Sequence, residues 1–277
     1  MDPRIDPPAA THIRWFGLSH TGTVRKNNED SFLGLRFDAQ EVNLLGKIGE
    51  ASLGEMDYLF AVSDGMGGAA AGEFASRIAV EKITRLLPRS FRQAAVGLEA
   101  GFADVLEELY GEIHKALLFL GDSYEECRGM GATLSLCWFM PNWMYFAHIG
   151  DSRVYYLPMS GEGIKQLTHD DTHVGWLYRN KMINEREART HPAKNSLQKA
   201  LGAGHQFVDP QVGAVGYQPG DRFLLCSDGV IDGLFDAQIA EILGRREEGL
   251  NLAETLVHES LQRSGRDNTT AVVVEVI

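Results

Sequence analysis

The sequence predicts an α+β fold, a β-rich core with paired helices inserted at two places, and three observations carry that expectation. Apolar runs of strand length recur from the start of the chain to its end. Two regions instead repeat apolar residues every three or four positions, and each region holds two such stretches. The runs do not alternate strand, helix, strand, as a parallel doubly wound sheet requires, so separated α and β layers are expected.

Residues 13–18 and 31–35 read as strands on either side of the turn Ser19-His20-Thr21-Gly22. Residues 38–57 mix polarities around Gly46, Gly49 and Gly54, and predict a loop or a long hairpin tip. Residues 58–62 form a short apolar strand running into Asp64. Beyond Gly67-Gly68, the spacing of Phe74, Ala75, Ile78, Ala79, Ile83 and Leu86 predicts a helix. Leu98, Phe102, Val105, Leu109, Ile113 and Leu117 form the apolar stripe of a second. The period then changes: residues 133–139, 143–149 and 153–157 read as an antiparallel meander joined by Pro141-Asn142 and Gly150-Asp151-Ser152. Residues 168–195 are polar and predict short helices and loops. A strand at 222–226 enters Asp228, helices follow at about 237–243 and 252–262, and a last strand spans 269–277. Residues 1–12 contain three prolines and no apolar signal-peptide segment, so they are expected to be a flexible arm. The remainder, 13–277, is expected to be a single domain.

Charge and composition narrow the function. A net charge of −12 argues against a nucleic-acid-binding or anionic-membrane surface, which needs a basic stripe. No stretch is long and apolar enough to span a membrane. Cys127, Cys137 and Cys226 are odd in number, two of them inside apolar runs, and read as reduced thiols of a cytoplasmic protein.

The chemistry lies in four short acidic motifs: Asn28-Glu29-Asp30, Ser63-Asp64-Gly65, Ser227-Asp228-Gly229 and Asp267-Asn268. Each adjoins an apolar run. Taken singly, each is equally well an Asx turn or a helix cap. Gathered on one rim, the carboxylates would repel one another and take up protons unless a cation neutralised them. An oxygen-only set without a Cys/His cluster favours Mg²⁺ or Mn²⁺ over zinc. Arg25 lies three to five residues before the first motif, and a guanidinium beside such a site suits a phosphate.

The ordered set of motifs resembles the metal-dependent protein phosphatases, the type 2C serine/threonine phosphatases. The matching stretches are Gly22-Thr23-Val24-Arg25 through Asn28-Glu29-Asp30-Ser31, then Val62-Ser63-Asp64-Gly65-Met66-Gly67-Gly68 and Gly131-Ala132-Thr133. They continue with His148-Ile149-Gly150-Asp151-Ser152-Arg153, Leu167-Thr168 with Asp170, Ala200-Leu201-Gly202, Ser227-Asp228-Gly229 and Asp267-Asn268-Thr269-Thr270. The resemblance runs from about residue 13 to 277 in the family's order and is that of a bacterial member.

It implies a sandwich of two antiparallel sheets flanked by helix pairs. It also implies a phosphatase using two Mn²⁺ or Mg²⁺ ions, with a weaker third. Asp64 would bridge the two ions, Gly65 would lend its carbonyl to one, and Asp228 and Asp267 would complete the other. Glu29 and Asp30 would hold metal-bound waters, Arg25 would bind the substrate phosphate, and Asp151 would share the third ion with Asp228. Ions about 3.5–4 Å apart acidify a shared water that attacks phosphorus in line, so no covalent phosphoenzyme is expected. The partners implied are proteins phosphorylated on Ser or Thr and a cognate Ser/Thr kinase, and a monomer is expected.

Met66 stands where the animal enzymes carry a His thought to protonate the leaving alkoxide. Residues 182–195, with His191, Pro192 and Asn195, resemble the bacterial flap segment, and read equally as an exposed helical hairpin. His148, in an apolar strand, is expected to be a core or supporting residue. Other phosphatase chemistries fit poorly: no Cys has an Arg six positions on, and no Asp-x-Asp-x-Thr occurs. The alternative function is a phosphatase-fold binding or sensing module without turnover.

Overall fold

Three apolar cores stacked in series organise the molecule, and the two-residue period of the strands builds them. The computed structural model describes residues 12–38, 40–54, 56–95, 101–247 and 249–277. In chain order the strands of the first third are β1 (His12–His20), β2 (Asp30–Phe37), β3 (Val42–Leu44), β4 (Ile48–Ser52) and β5 (Asp57–Met66). Helices α1 (Ala69–Ala95) and α2 (Phe102–Ser123) follow. The middle holds β6 (Gly131–Ala132), β7 (Leu134–Met140), β8 (Trp143–Ile149), β9 (Arg153–Leu157), β10 (Lys165–Gln166), α3 (His173–Arg179) and α4 (Glu185–Thr190). The last third is β11 (Leu201–Gly202), β12 (Gln211–Gly216), β13 (Arg222–Cys226), α5 (Asp228–Gly233), α6 (Asp236–Gly244), α7 (Leu252–Arg263) and β14 (Thr269–Val276).

One antiparallel sheet runs β10-β9-β13-β14-β1-β4. The other runs through β5-β7-β8-β12, with β2 and β3 beside β5 and the short β6 and β11 at its end. On β5, Tyr58, Phe60 and Val62 face the core between the sheets while Leu59 and Ala61 face α1 and α2. On β14, Val272, Val274 and Val276 face the same central core, and Ala271 and Val273 face α5–α7. Strands buried on both faces read as continuous apolar runs, which is why the sequence marks them so clearly. The layers are therefore helix pair, sheet, sheet, helices, the α+β sandwich expected.

Residues 38–57 differ from the loop or hairpin tip expected. β3 does pair back on β2, but β4 crosses to the opposite sheet and pairs with β1, Trp15 opposite Gly49. Its side chains are at most half-buried, so no apolar alternation announces it. Packing decides its place: Trp15 lies where a Cβ on residue 49 would sit, 2.1 Å away, and its indole N–H donates to the Gly46 carbonyl at 2.9 Å. β12 is a further strand that the apolar pattern does not predict, because its small residues alternate weakly. Leu98 and residues 1–11 lie outside the described residues.

Candidate metal centre

The site forms where strand ends from both sheets meet. Asp30, at the start of β2, is registered directly opposite Asp64, near the end of β5. Asp228 follows β13 and begins α5, Asp267 precedes the adjacent β14, and Asp151 lies in the turn between β8 and β9. Five carboxylates from distant sequence thus reach one rim. Arg25, Glu29, Asp64, Asp151, Asp228 and Asp267, among others, line a pocket of about 540 Å³. Asp30 lies behind that lining, fully packed.

Burial and mutual repulsion set the protonation of these acids. The Asp64 carboxyl is pushed well above the ordinary range, first by burial, then by Asp30, Asp228, Asp151 and Asp267. Asp228 is raised likewise, by burial and then by Asp151, Asp232, Asp267 and Asp30. Asp151 is raised to about 7, by burial first and Asp170 next. Asp30 is raised to about 6 by burial, although the hydroxyls of Thr270 and Ser227 each donate to its Oδ2 at 2.7 Å and hold it lower. Its Oδ1 is buried with no partner among the described residues. A carboxylate set that cannot all ionise, with one oxygen left over, fits a cation and the waters it would hold.

The acids do not form a closed cage. Among the described residues, no group of three His, Cys, Asp or Glu side chains could by itself hold an ion. Ions here would have to complete their shells with water and with backbone oxygen, as hard divalent cations do.

Neutral side chains fix the acids in place. Thr133 is bonded both ways to Asp64: its N–H donates to the Asp64 carbonyl at 2.8 Å and its Oγ1 accepts the Asp64 N–H at 3.0 Å. The same hydroxyl pairs with Ser152, beside Asp151, at 2.7 Å. Asn268 holds the loop before β2, accepting the Glu29 N–H at 2.7 Å and donating to the carbonyls of Thr21 and Asn27 at 2.8 and 2.9 Å. Gly65 is required by close packing, since a Cβ there would meet the Gly72 carbonyl oxygen at 1.9 Å. Glu29 Oε2 lies against the first turn of α1, 2.6 Å from where a Cβ on Gly72 would be, at the end of the helix that favours negative charge.

His148 is a supporting residue, as expected. Burial holds its imidazole down at about 4, hence neutral. Nε2 faces the carbonyls of Gly150 and His169 at 3.1 and 3.2 Å, which only accept, so the proton is there and Nδ1 accepts from Ser135 Oγ at 2.8 Å. That bond braces the turn carrying Asp151, whose Gly150 N–H also donates to Asp171 at 3.0 Å.

Met66 and Asn195 line the pocket, whereas His191 does not; its Nδ1 accepts the Ala193 N–H at 3.1 Å. Asp170 does not line this pocket; its two oxygens accept from Nε and Nη2 of the buried Arg153 guanidinium at 2.8 and 2.7 Å. Sequence reasoning assigns no role to Thr133, Ser227, Asn268 or Thr270. Their one signal is that each is a polar neighbour in or near a matching motif.

A sandwich of two antiparallel sheets between helices, carrying strand-end acids on one rim, defines the class of protein. The family model for protein phosphatase 2C matches residues 49–263, and the chain belongs to that family. It is 34% identical over 269 residues to the serine/threonine protein phosphatase PstP of Mycobacterium tuberculosis, covering 96% of this chain and 45% of the relative. The chain thus spans about half the length of that relative. It is 34% identical over 216 residues to the serine/threonine phosphatase stp of Listeria innocua, covering 77% of this chain and 82% of the relative. Among solved structures, the catalytic domain of PstP with two manganese ions superposes with a TM-score of 0.74 at 31% identity, covering 96% and 99% of the two chains.

Proposed function

We propose that the chain is a Mn²⁺- or Mg²⁺-dependent phosphatase that hydrolyses phosphoserine and phosphothreonine in proteins, without a covalent phosphoenzyme. The observation that carries this is the convergence of Asp64, Asp151, Asp228 and Asp267 on the pocket that Arg25 also lines, each of the first three held high by burial and its neighbours' charge. In this reading Asp64, Asp228 and Asp267, with the Gly65 carbonyl, would hold the two ions. Glu29 and Asp30 would hold water on those ions, and Asp151 with Asp228 would hold a weaker third ion. Relatives named as serine/threonine phosphatases and a neighbour holding two manganese ions support it.

When bound, the ions supply an acidified water as nucleophile and neutralise charge on the phosphoryl oxygens. Asp30, with Oδ2 saturated by two hydroxyls, has only Oδ1 free to accept a water proton. Arg25, half-exposed at the pocket, can turn two N–H edges to a phosphate. A bacterial Ser/Thr kinase whose products it reverses is the partner proposed. Hydrolysis of a phosphothreonine peptide with Mn²⁺, with and without chelator, tests the reading. Release of phosphate that chelator abolishes is expected. Mn²⁺ binding without turnover would instead make the chain a binding module.

A further inference from the structure

Beside the main pocket, under the segment that carries α3 and α4, lies a second cleft of about 60 Å³, room for a few waters. Asp151, Asp228 and Asp232 line it from the sandwich side; Arg189 and Lys194 line it from the flap. The flap is closed at its base by a bridge between Thr172 and Leu197, three residues beyond Lys194. Its ammonium pairs with Asp232 Oδ1. Asp232 follows Asp228 by one helical turn on α5, and its charge raises both Asp228 and Asp151.

The other two cations of the cleft have partners of their own, although Arg153 also acts on Asp151 and Arg189 Nη1 is buried with no partner among the described residues. Arg153 is held by Asp170 through two bonds. Arg189 donates to the Asp232 backbone carbonyl at 2.6 Å and lies over the Phe235 ring at 3.9 Å. Lys194, paired with Asp232, is the flap ammonium that shares the lining of this small cleft with Asp151 and Asp228.

Resting on the metal-centre reading above, we propose that Lys194 is a built-in counter-cation for this cleft and holds the site at two ions under ordinary metal supply. A third divalent ion at Asp151 and Asp228 would meet the same negative potential that the ammonium already occupies. Like charges a few ångströms apart in a partly buried cleft repel strongly, so the third ion enters only at high metal concentration. The flap lysine thereby couples flap position to ion count: releasing Lys194 opens the third place, and filling that place frees the flap.

The test is Mn²⁺ binding, read as free Mn²⁺ by electron paramagnetic resonance, on chelator-stripped full chain. Wild type is expected to take two ions and a third only weakly. Lys194→Met should tighten the third site by ~tenfold or more. Lys194→Arg, which keeps the charge, should behave as wild type. Lys194→Gln repeats the neutral substitution should the Met variant fold poorly. A third-site affinity unchanged in both neutral variants, with two ions still held, overturns the inference alone. So does an Arg variant that behaves like Met. Failure of every variant and of wild type to bind Mn²⁺ overturns the metal-centre reading, and this inference with it.

Discussion

Arg25 Nη2 donates to Asp267 Oδ2 at 2.8 Å, so the cation assigned to the substrate phosphate is paired with an acid assigned to an ion. The pair joins residues 242 apart in sequence and sits at the pocket, with the arginine about half exposed. An exposed pair of this kind is weak, and a doubly charged phosphate competes for the guanidinium with better geometry. Arg25→Ala is therefore expected to raise KM by ~tenfold or more, with a smaller fall in kcat. Mn²⁺ binding should persist, because Asp267 loses only a competitor. Steady-state kinetics beside a Mn²⁺ titration separates the two effects, and loss of metal from the variant would make Arg25 a structural residue.

Asp64, like Asp228, is buried among neighbouring acids that raise it, with no cation side chain among the causes of its shift. Asp64→Asn should remove nearly all turnover. Ion binding also raises thermal stability by mass action, since the unfolded chain cannot assemble the site. Wild type should gain in melting temperature on Mn²⁺ addition and Asp64→Asn should gain much less. In chelator the order reverses, because Asn relieves a buried repulsion and the variant melts no lower than wild type. Near-normal activity of Asp64→Asn after Mn²⁺ replenishment would end the assignment.

How much of the fold and site is legible in the sequence follows from which residues burial controls. β5 and β14 are buried on both faces, so their apolar runs are unmistakable, and the run alone places the acids at their ends. β4 is held by Trp15 and two glycines rather than by its own side chains, a tertiary contact with no local signature. The same limit hides the role of Asn268, whose three bonds reach residues far away in the chain. Asp228 reads as a strand-end acid, yet it also opens α5, a helix of six residues too short to show periodicity. Lys194 looks like an ordinary flap lysine because Asp232, its partner, is 38 residues away.

Asp57, remote from these acids at the start of β5, offers a clean pH test. Burial raises its carboxyl to about 6, although Trp138 Nε1 donates to Oδ2 at 2.9 Å and holds it lower. A folded-state value above the unfolded one means the folded chain binds the proton more tightly. Its contribution to stability is therefore greatest below about 4, is lost as pH rises toward 6, and stays lost above. Asp57→Asn keeps an acceptor for the indole and removes the charge. It should stabilise the protein at pH 8 by ~1–2 kcal/mol and have little effect at pH 4. Denaturant titrations at the two pH values check this, and an equal effect at both would show that the carboxyl does not titrate as described.

Met66 lines the pocket, and a thioether cannot donate a proton to a leaving group. His191, the candidate by sequence, lies outside the pocket lining, and its Nδ1 accepts the Ala193 N–H. Turnover should then depend steeply on leaving-group pKa. A phenolic ester such as p-nitrophenyl phosphate leaves without protonation and should be cleaved readily, whereas the alkoxide of a phosphothreonine peptide is far more basic and should leave slowly. Met66→His restores a donor at the same place. It should leave phenolic ester turnover almost unchanged and raise peptide turnover, by up to the ~10²–10⁴-fold typical of general acid catalysis. The comparison belongs at saturating Mn²⁺, because a new imidazole can recruit metal as well as protons. A wild-type rate already insensitive to leaving-group pKa would mean that another group donates the proton, and the substitution would then change neither substrate.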